Sequence, residues 1–318
     1  MEFRAVKRQE LDCAAWQALV CCASFFQTSQ WADICVDGWG PQAQSVFLCG
    51  YERGRLAAGM PAIIIRRLGL QSLYSMPNDT YGGPVFSEDY DPAAKKVFLE
   101  RMANFIQRRK FSRAVITDFA GSLSEWRQPG LTRTRHFTHI LVLDTIDEYR
   151  PHKKIAYDLR AGEKTDAAII KIETALQVAE FYRLYRTTEA RHGRRRPRYT
   201  RRFFETILTH LAGSEMLYWT GLTTEDVLIG SQIHFAYGET LFNWQTVSEY
   251  EKRDYKPSQI LMNDAIRYAA ARGLHAVNLG ASPPDAAGLI RYKERWGGKR
   301  VEFDILAMRS ILRRLVGR

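Results

Sequence analysis

Residues 274–298, LHAVNLGASPPDAAGLIRYKERWGG, constrain the fold more than any other stretch. From His275 to Leu279 the chain is short, apolar and partly β-branched, which suits a buried strand. Gly280 to Pro284 cannot continue that strand, and residues 286–296 have helical spacing until Gly297 and Gly298 end them. A strand that gives way to a helix through a glycine-punctuated turn belongs to a layered α/β domain, and ligands in such domains sit at the carboxyl ends of strands. Free N–H groups at the start of the helix add to that preference.

The flanking sequence supplies the rest of such a unit. Residues 217–222, 227–237 and 240–247 read as three consecutive antiparallel strands with tight turns at 224–226 and 238–239. A helix at 258–272 precedes the opening strand, and a last strand is expected at 301–306. Upstream, Val178, Phe181, Tyr182 and Tyr185 mark one face of a helix ending at Arg191-His192-Gly193, and a further helix spans 202–211. Residues 145–164 are polar and basic and read as the connection to an earlier half.

That half repeats the order. Thr28 or Ser29 caps a helix beginning near Trp31, with a short strand expected before it. Residues 46–51 and 57–66 form a hairpin around the turn at 52–55. After the turn-rich run SLYSMPNDTYGGPVF, Asp91 and Pro92 start a helix whose Phe98, Met102, Phe105 and Ile106 recur on one face. Strands at 114–119 and 137–143 follow. The chain of 318 residues exceeds one typical core of roughly 100–200 residues, and its 46% hydrophobic content can fill two. A duplicated α/β unit divided into 1–144 and 145–318 is the expected organisation.

A formal net charge of +11 concentrates polyanions such as nucleic acid, nucleotide-linked substrates or anionic head groups, so contact with anionic surfaces is expected. The charged start MEFRAVKRQELD and the lack of any run of about 20 apolar residues lead to a cytoplasmic expectation with no transmembrane segment. Cys13, Cys21, Cys22, Cys35 and Cys49 contain no C-x-x-C pair and have no histidine at zinc spacing, so they are expected as reduced core thiols and no metal is expected. No nucleophile elbow, phosphate-binding G-x-x-x-x-G-K or H-E-x-x-H is present, which removes the usual entry points to hydrolase, nucleotide triphosphatase and zinc-peptidase chemistry. Gly38-Trp39-Gly40-Pro41-Gln42-Ala43 matches a dinucleotide-binding spacing, but Pro41 and the lack of a leading strand make it a loop.

Three stretches carry chemistry. Seven arginines crowd into RHGRRRPRYTRR between Arg191 and Arg202; such a run is a solvated loop or a phosphate contact, since guanidinium forks match phosphate oxygens in pairs. Asn78-Asp79-Thr80-Tyr81-Gly82-Gly83-Pro84 is an ordinary turn or a place where a ligand approaches backbone beside a tyrosine. Arg291, Tyr292 and Lys293 diverge by about a hundred degrees each on a helix, so one points inward while another covers the turn.

FFQTSQW, MPNDTYGGP, the T-x-x-R-H-G of Thr188 to Gly193, the KPSQILM of Lys256 to Met262 and the LGAS…GLIRYKERWGG ending, together and in order, resemble the Fem-like branch of the GNAT acyltransferase superfamily. That branch includes peptidoglycan aminoacyl transferases and acetyltransferase-like proteins of polysaccharide and exosortase systems. The resemblance implies an α/β (α+β mixed) class with tandem duplicated GNAT-like domains, each a mixed, mostly antiparallel sheet flanked by helices. It implies N-acyl or aminoacyl transfer to an amine of a cell-envelope or polysaccharide precursor, nucleotide- or lipid-linked. The donor is aminoacyl-tRNA or a coenzyme A thioester, and no cofactor is bound permanently.

The aromatic-lysine pair at the transfer site of the aminoacyl-transferring members maps onto Tyr292 and Lys293, the candidate catalytic residues. Candidate substrate contacts are Asn78, Asp79, Tyr81, Gly82, Arg191, His192, Gln245, Ser258, Gly280, Ser282 and Arg291. Where acetyl-CoA users carry a basic, glycine-rich pyrophosphate loop, this chain has EYEKRDYKPS from Glu249 to Ser258, with only a helix N-terminus as anion cradle. Alternatives are an acetyl-CoA-dependent N-acetyltransferase and a catalytically silent GNAT-like protein that binds an anionic partner.

Overall fold

The computed structural model describes residues 1–78, 80–143 and 149–309. Two compact units divide the chain: residues 1–136 together with the chain from Glu302, and residues 137–301. The boundary expected at 144/145 lies outside the described residues.

In the first unit the strands β1 (Glu2–Val6), β2 (Ala43–Glu52), β3 (Arg55–Arg67) and β4 (Leu70–Ser75) pair antiparallel in that order. Helices α1 (Cys13–Val20) and α2 (Ser29–Trp39) lie between β1 and β2 in the chain. The short β5 (Val85–Phe86) pairs with β3, α3 (Pro92–Arg108) follows, and β6 (Arg113–Asp118) returns parallel to β4. Helix α3 begins as expected, with the Asp91 side chain accepting from the Ala93 amide at 2.9 Å, and it buries Phe98, Met102 and Ile106 against the sheet. A Cβ at Gly59 of β3 would stand 2.5 Å from the Trp16 ring, so the glycine lets α1 press directly onto the sheet.

The second unit starts within β7 (Leu131–Val142) and holds α4 (Lys153–Gly162), β8 (Ala168–Lys171), α5 (Ala175–Arg191), α6 (Arg201–Leu211), β9 (Leu217–Thr224), β10 (Val227–Tyr237) and β11 (Thr240–Ser248). Then come α7 (Pro257–Ala271), β12 (Ala276–Ala281) and α8 (Ala287–Arg295), before β13 (Lys299–Arg309). Strands β8 to β11 form an antiparallel meander, β12 is parallel to β11, and β7 is antiparallel to β12. Each unit therefore has a four-stranded meander followed by a parallel strand reached through a helix. The last place is exchanged: β13, which follows β12 in the chain, pairs with β6, whereas β7, which follows β6, pairs with β12.

Several expectations need correction. No strand leads directly into the Thr28 cap: β1 ends at Val6, and residues Phe25–Gln27 make a 3-10 turn closed by the Gln27 side chain, which accepts from the Ser24 amide at 3.1 Å and donates to the Gly82 and Gly83 carbonyls. The supposed connection at 145–164 contains α4, and the turn-rich run holds the end of β4 and the whole of β5. The opening strand continues two residues beyond Leu279, to Ala281. Only Cys35 and Cys49 are core thiols, with burial pushing the Cys35 thiol well up and Cys49 up to about 12; Cys13, Cys21 and Cys22 are exposed. Among the described residues no helix is long and apolar enough to cross a membrane.

Candidate functional site

The parallel pairing of β11 with β12 runs only from Thr240–Ala276 to Phe242–Asn278. Beyond it, β11 carries a bulge: Ile233 of β10 faces Gln245 and His234 faces Asn243, leaving Trp244 without an opposite residue. Trp244 turns into the aromatic cluster with Tyr199, Phe203 and Phe235. The Asn243 amide lies 3.0 Å from Nε2 of His234, which burial pushes down to about 3 and so keeps neutral.

On the other strand, the Asn278 side chain accepts from the Gly280 amide at 2.9 Å and from the Thr138 hydroxyl at 2.7 Å. This holds Gly280 at φ +80, where a Cβ would also come 3.2 Å from the Asn243 carbonyl. The carbonyls of Gly280 and Ala281 then accept from Lys293 Nζ at 2.7 and 2.9 Å. Of the three candidate residues on α8, Lys293 is the inward one at 6% exposure, Tyr292 is half-buried and Arg291 exposed.

Lys293 lines a cavity of about 520 Å³ together with Asn243, Thr246 and Ser248 of β11, Leu279 of β12, Leu289 and Tyr292 of α8, and the start of α7. Lys154, Arg253 and Lys256 add cations, while Asp158 and Asp254 pair with Lys154 and Lys256. Pro257 sits tight on the sheet because Gly230 has no Cβ, which would stand 2.6 Å from it. Tyr292 fixes the two helices together by donating to the Ser258 carbonyl at 3.0 Å, and burial pushes its phenol well up, so it stays a neutral donor.

The α7 terminus is a weaker anion cradle than its position implies. Pro257 has no N–H, and the amides of Gln259 and Ile260 both donate to the Lys256 carbonyl at 3.0 Å, which leaves the Ser258 amide. Positive potential here comes from side chains instead.

Burial lowers Lys293 from the ordinary 10.5 to about 7. Between those values the unfolded chain holds a proton that the fold does not, so stability rises with pH from about 7 to 10.5 and the penalty is complete below about 7. Urea unfolding of the wild type and Lys293→Met should show the wild type gaining on the variant between about pH 7 and 10, by up to about 4 kcal/mol. A difference independent of pH would mean that the ammonium is not desolvated. Nearby, burial and then the charge of Lys293 lower His139, whose two ring nitrogens have no hydrogen-bond partner among the described residues.

The other sequence candidates are dispersed. Ser258 lines the cavity. Ser282 is buried beside the lysine's carbonyl partners, its amide donating to Phe137 at 3.4 Å. Gln245 is half-buried at the bulge. Arg191 donates to the Ser248 carbonyl at 2.8 Å and lies over Tyr250, with exposed His192 capping α5. Asn78, Tyr81 and Gly82 belong to the first unit, where Tyr81 stacks on Phe119 at 4.1 Å; Asp79 lies outside the described residues. Asn243, His234, Lys154 and Lys256 were missed, because their convergence depends on the bulge and on the docking of α4 against α7.

The family model described as acetyltransferase (GNAT) domain matches residues 150–315, more than half of the chain. The chain belongs to the GNAT acetyltransferase family. No curated protein matches it in sequence. Among solved structures, FemX is similar with a TM-score of 0.69 and 14% identity, covering 96% of this chain and 97% of that one. A tandem GNAT protein from the clavulanic acid biosynthesis pathway gives 0.64 at 11% identity, covering 97% and 98%. The C-terminal domain of a putative lysylphosphatidylglycerol synthetase from Agrobacterium fabrum gives 0.60 at 14%, covering 97% and 94%. The fold is thus a tandem GNAT fold of the kind FemX has, as the motif resemblance implied. As a GNAT acyltransferase, the chain takes an acyl group from a donor to an amine.

Proposed function

We propose that the Lys293 cavity transfers an aminoacyl group from an ester donor, aminoacyl-tRNA, to an amine of a cell-envelope or polysaccharide precursor in the cytoplasm, the acceptor being nucleotide- or lipid-linked. The observation that carries this reading is Lys293 Nζ fixed on the Gly280 and Ala281 carbonyls at the edge of a cavity where β11 and β12 part. The acceptor nitrogen attacks the acyl carbonyl, a C–N bond forms, the C–O bond to the donor breaks, and the proton shed by the amine leaves with the donor hydroxyl or solvent. Negative charge develops on the carbonyl oxygen in between, and the Lys293 ammonium stabilises it there. Tyr292 shapes the cavity through its hold on Ser258.

The ester donor is favoured by the α7 terminus, where two amides are already bonded to Lys256, and by Asp254 in the segment that would have to wrap a pyrophosphate. A coenzyme A thioester is the second reading, favoured by the matched family. Calorimetry with acetyl-CoA and a transfer assay with aminoacyl-tRNA separate them. Turnover of the aminoacyl ester with no saturable acetyl-CoA binding is expected; micromolar acetyl-CoA binding with acetylation of an amine would replace this donor with the thioester.

A further inference from the structure

On the second unit, α5 from Ala179 onward, the loop after it and the start of α6 line an open groove of about 640 Å³. Five of its ten lining residues are arginines, Arg183, Arg186, Arg194, Arg195 and Arg201, and none is acidic. The loop is built rather than slack. Glu189, 6% exposed, pairs with Arg194 and accepts from the Arg198 amide at 3.3 Å, while buried Tyr199 packs against Phe203 and Trp244.

Three of the five guanidinium groups have carboxylates of their own: Arg183 pairs with Glu249 and Glu180, Arg194 with Glu189, and Arg201 with Glu205. Arg186 on α5 and Arg195 on the loop have no ion pair or hydrogen bond among the described residues, and both are exposed. Two uncompensated forks on two separate elements therefore face one groove. Each matches the oxygens of one phosphoryl group.

We infer that this groove binds a diphosphate group, with Arg186 and Arg195 each taking one of the two phosphoryl groups. The volume is that of a small-molecule site, whose usual range is about 300–1,000 Å³. The carboxylates of Glu180 and Glu205 beside the groove repel an extended polyanion and leave room for a compact one. The site is independent of what the Lys293 cavity transfers.

Calorimetric titration of the full chain with inorganic pyrophosphate tests the assignment. Arg186→Gln/Arg195→Gln should weaken pyrophosphate binding by about tenfold or more, the loss of charge-assisted hydrogen bonds, with thermal stability unchanged because neither side chain has a protein partner. Arg101→Gln/Arg108→Gln on exposed positions of α3 removes the same charge and should leave binding intact. Adenosine diphosphate and farnesyl diphosphate then show whether a nucleotide or a lipid source binds more tightly. The assignment falls if the wild type takes up no pyrophosphate, if the Arg186/Arg195 variant binds it as well as the wild type, or if inorganic phosphate binds as tightly. It falls equally if an RNA hairpin binds far more tightly than pyrophosphate through the same two arginines.

Discussion

Lys293→Ala is expected to lower kcat for acyl transfer by about 10²–10³ while the protein stays folded. Its Nζ is held by two carbonyls at 2.7 and 2.9 Å and does not have to be ordered when substrate arrives, so the ammonium, itself buried from water, acts with little reorganisation. At about pH 7 or below, truncation removes a desolvated charge and leaves two carbonyls and a small void, opposing effects that keep the stability change there within about 2 kcal/mol. The free-enzyme pH profile sharpens the test. Burial lowers Lys293 to about 7, so kcat/KM should fall as pH rises through about 7, and that limb should vanish in Lys293→Arg, whose guanidinium stays charged. Near-normal turnover in Lys293→Ala, or a limb that survives in Lys293→Arg, would remove the lysine from the reaction.

Elements declared by local chemistry were legible in the sequence. The Asp91-Pro92 start of α3, the apolar face of α5 marked by Val178, Phe181 and Tyr185, and the hairpins β2–β3 and β9–β11 need only neighbouring residues. Helix α4 escaped notice because KKIAYDLRAG turns only a narrow apolar stripe, chiefly Ile155 and Leu159, inward. It docks because Gly162 admits Ile260, whose side chain would stand 2.9 Å from a Cβ there. Strand β4 was hidden because Leu73 is its one fully buried apolar residue. The exchange of β7 and β13 has no local signal at all, since either strand is equally able to pair antiparallel with β6 or β12. The site divides similarly. Lys293 could be singled out from the helix that carries it, whereas the Asn243–His234 contact exists only because of the Trp244 bulge.

Gly82→Ala is expected to destabilise the first unit by about 3 kcal/mol or more. The added Cβ would stand 2.2 Å from the carbonyl carbon of Ser75 and 2.3 Å from both the Ser75 oxygen and the Met76 nitrogen, which are backbone atoms and cannot swing aside. Backing away is blocked as well, because the Gly82 amide donates to the Thr117 carbonyl at 2.9 Å, its own carbonyl accepts from Gln27 at 3.2 Å, and Tyr81 is stacked on Phe119. The tight approach that the paired glycines permit is thus made by the chain itself. Gly83→Ala should be milder, about 1–2 kcal/mol: its φ of +89 strains alanine, but the nearest atoms, Asp118 Oδ1 at 3.1 Å and Asp118 Cα at 3.2 Å, stand further off than the backbone atoms around Gly82. Denaturant midpoints of the two variants decide the matter. A Gly82→Ala protein with wild-type stability and weakened acceptor binding would make this turn a ligand contact, whereas the expected loss of stability makes it the strut that joins β4, β6 and the Phe25–Gln27 turn.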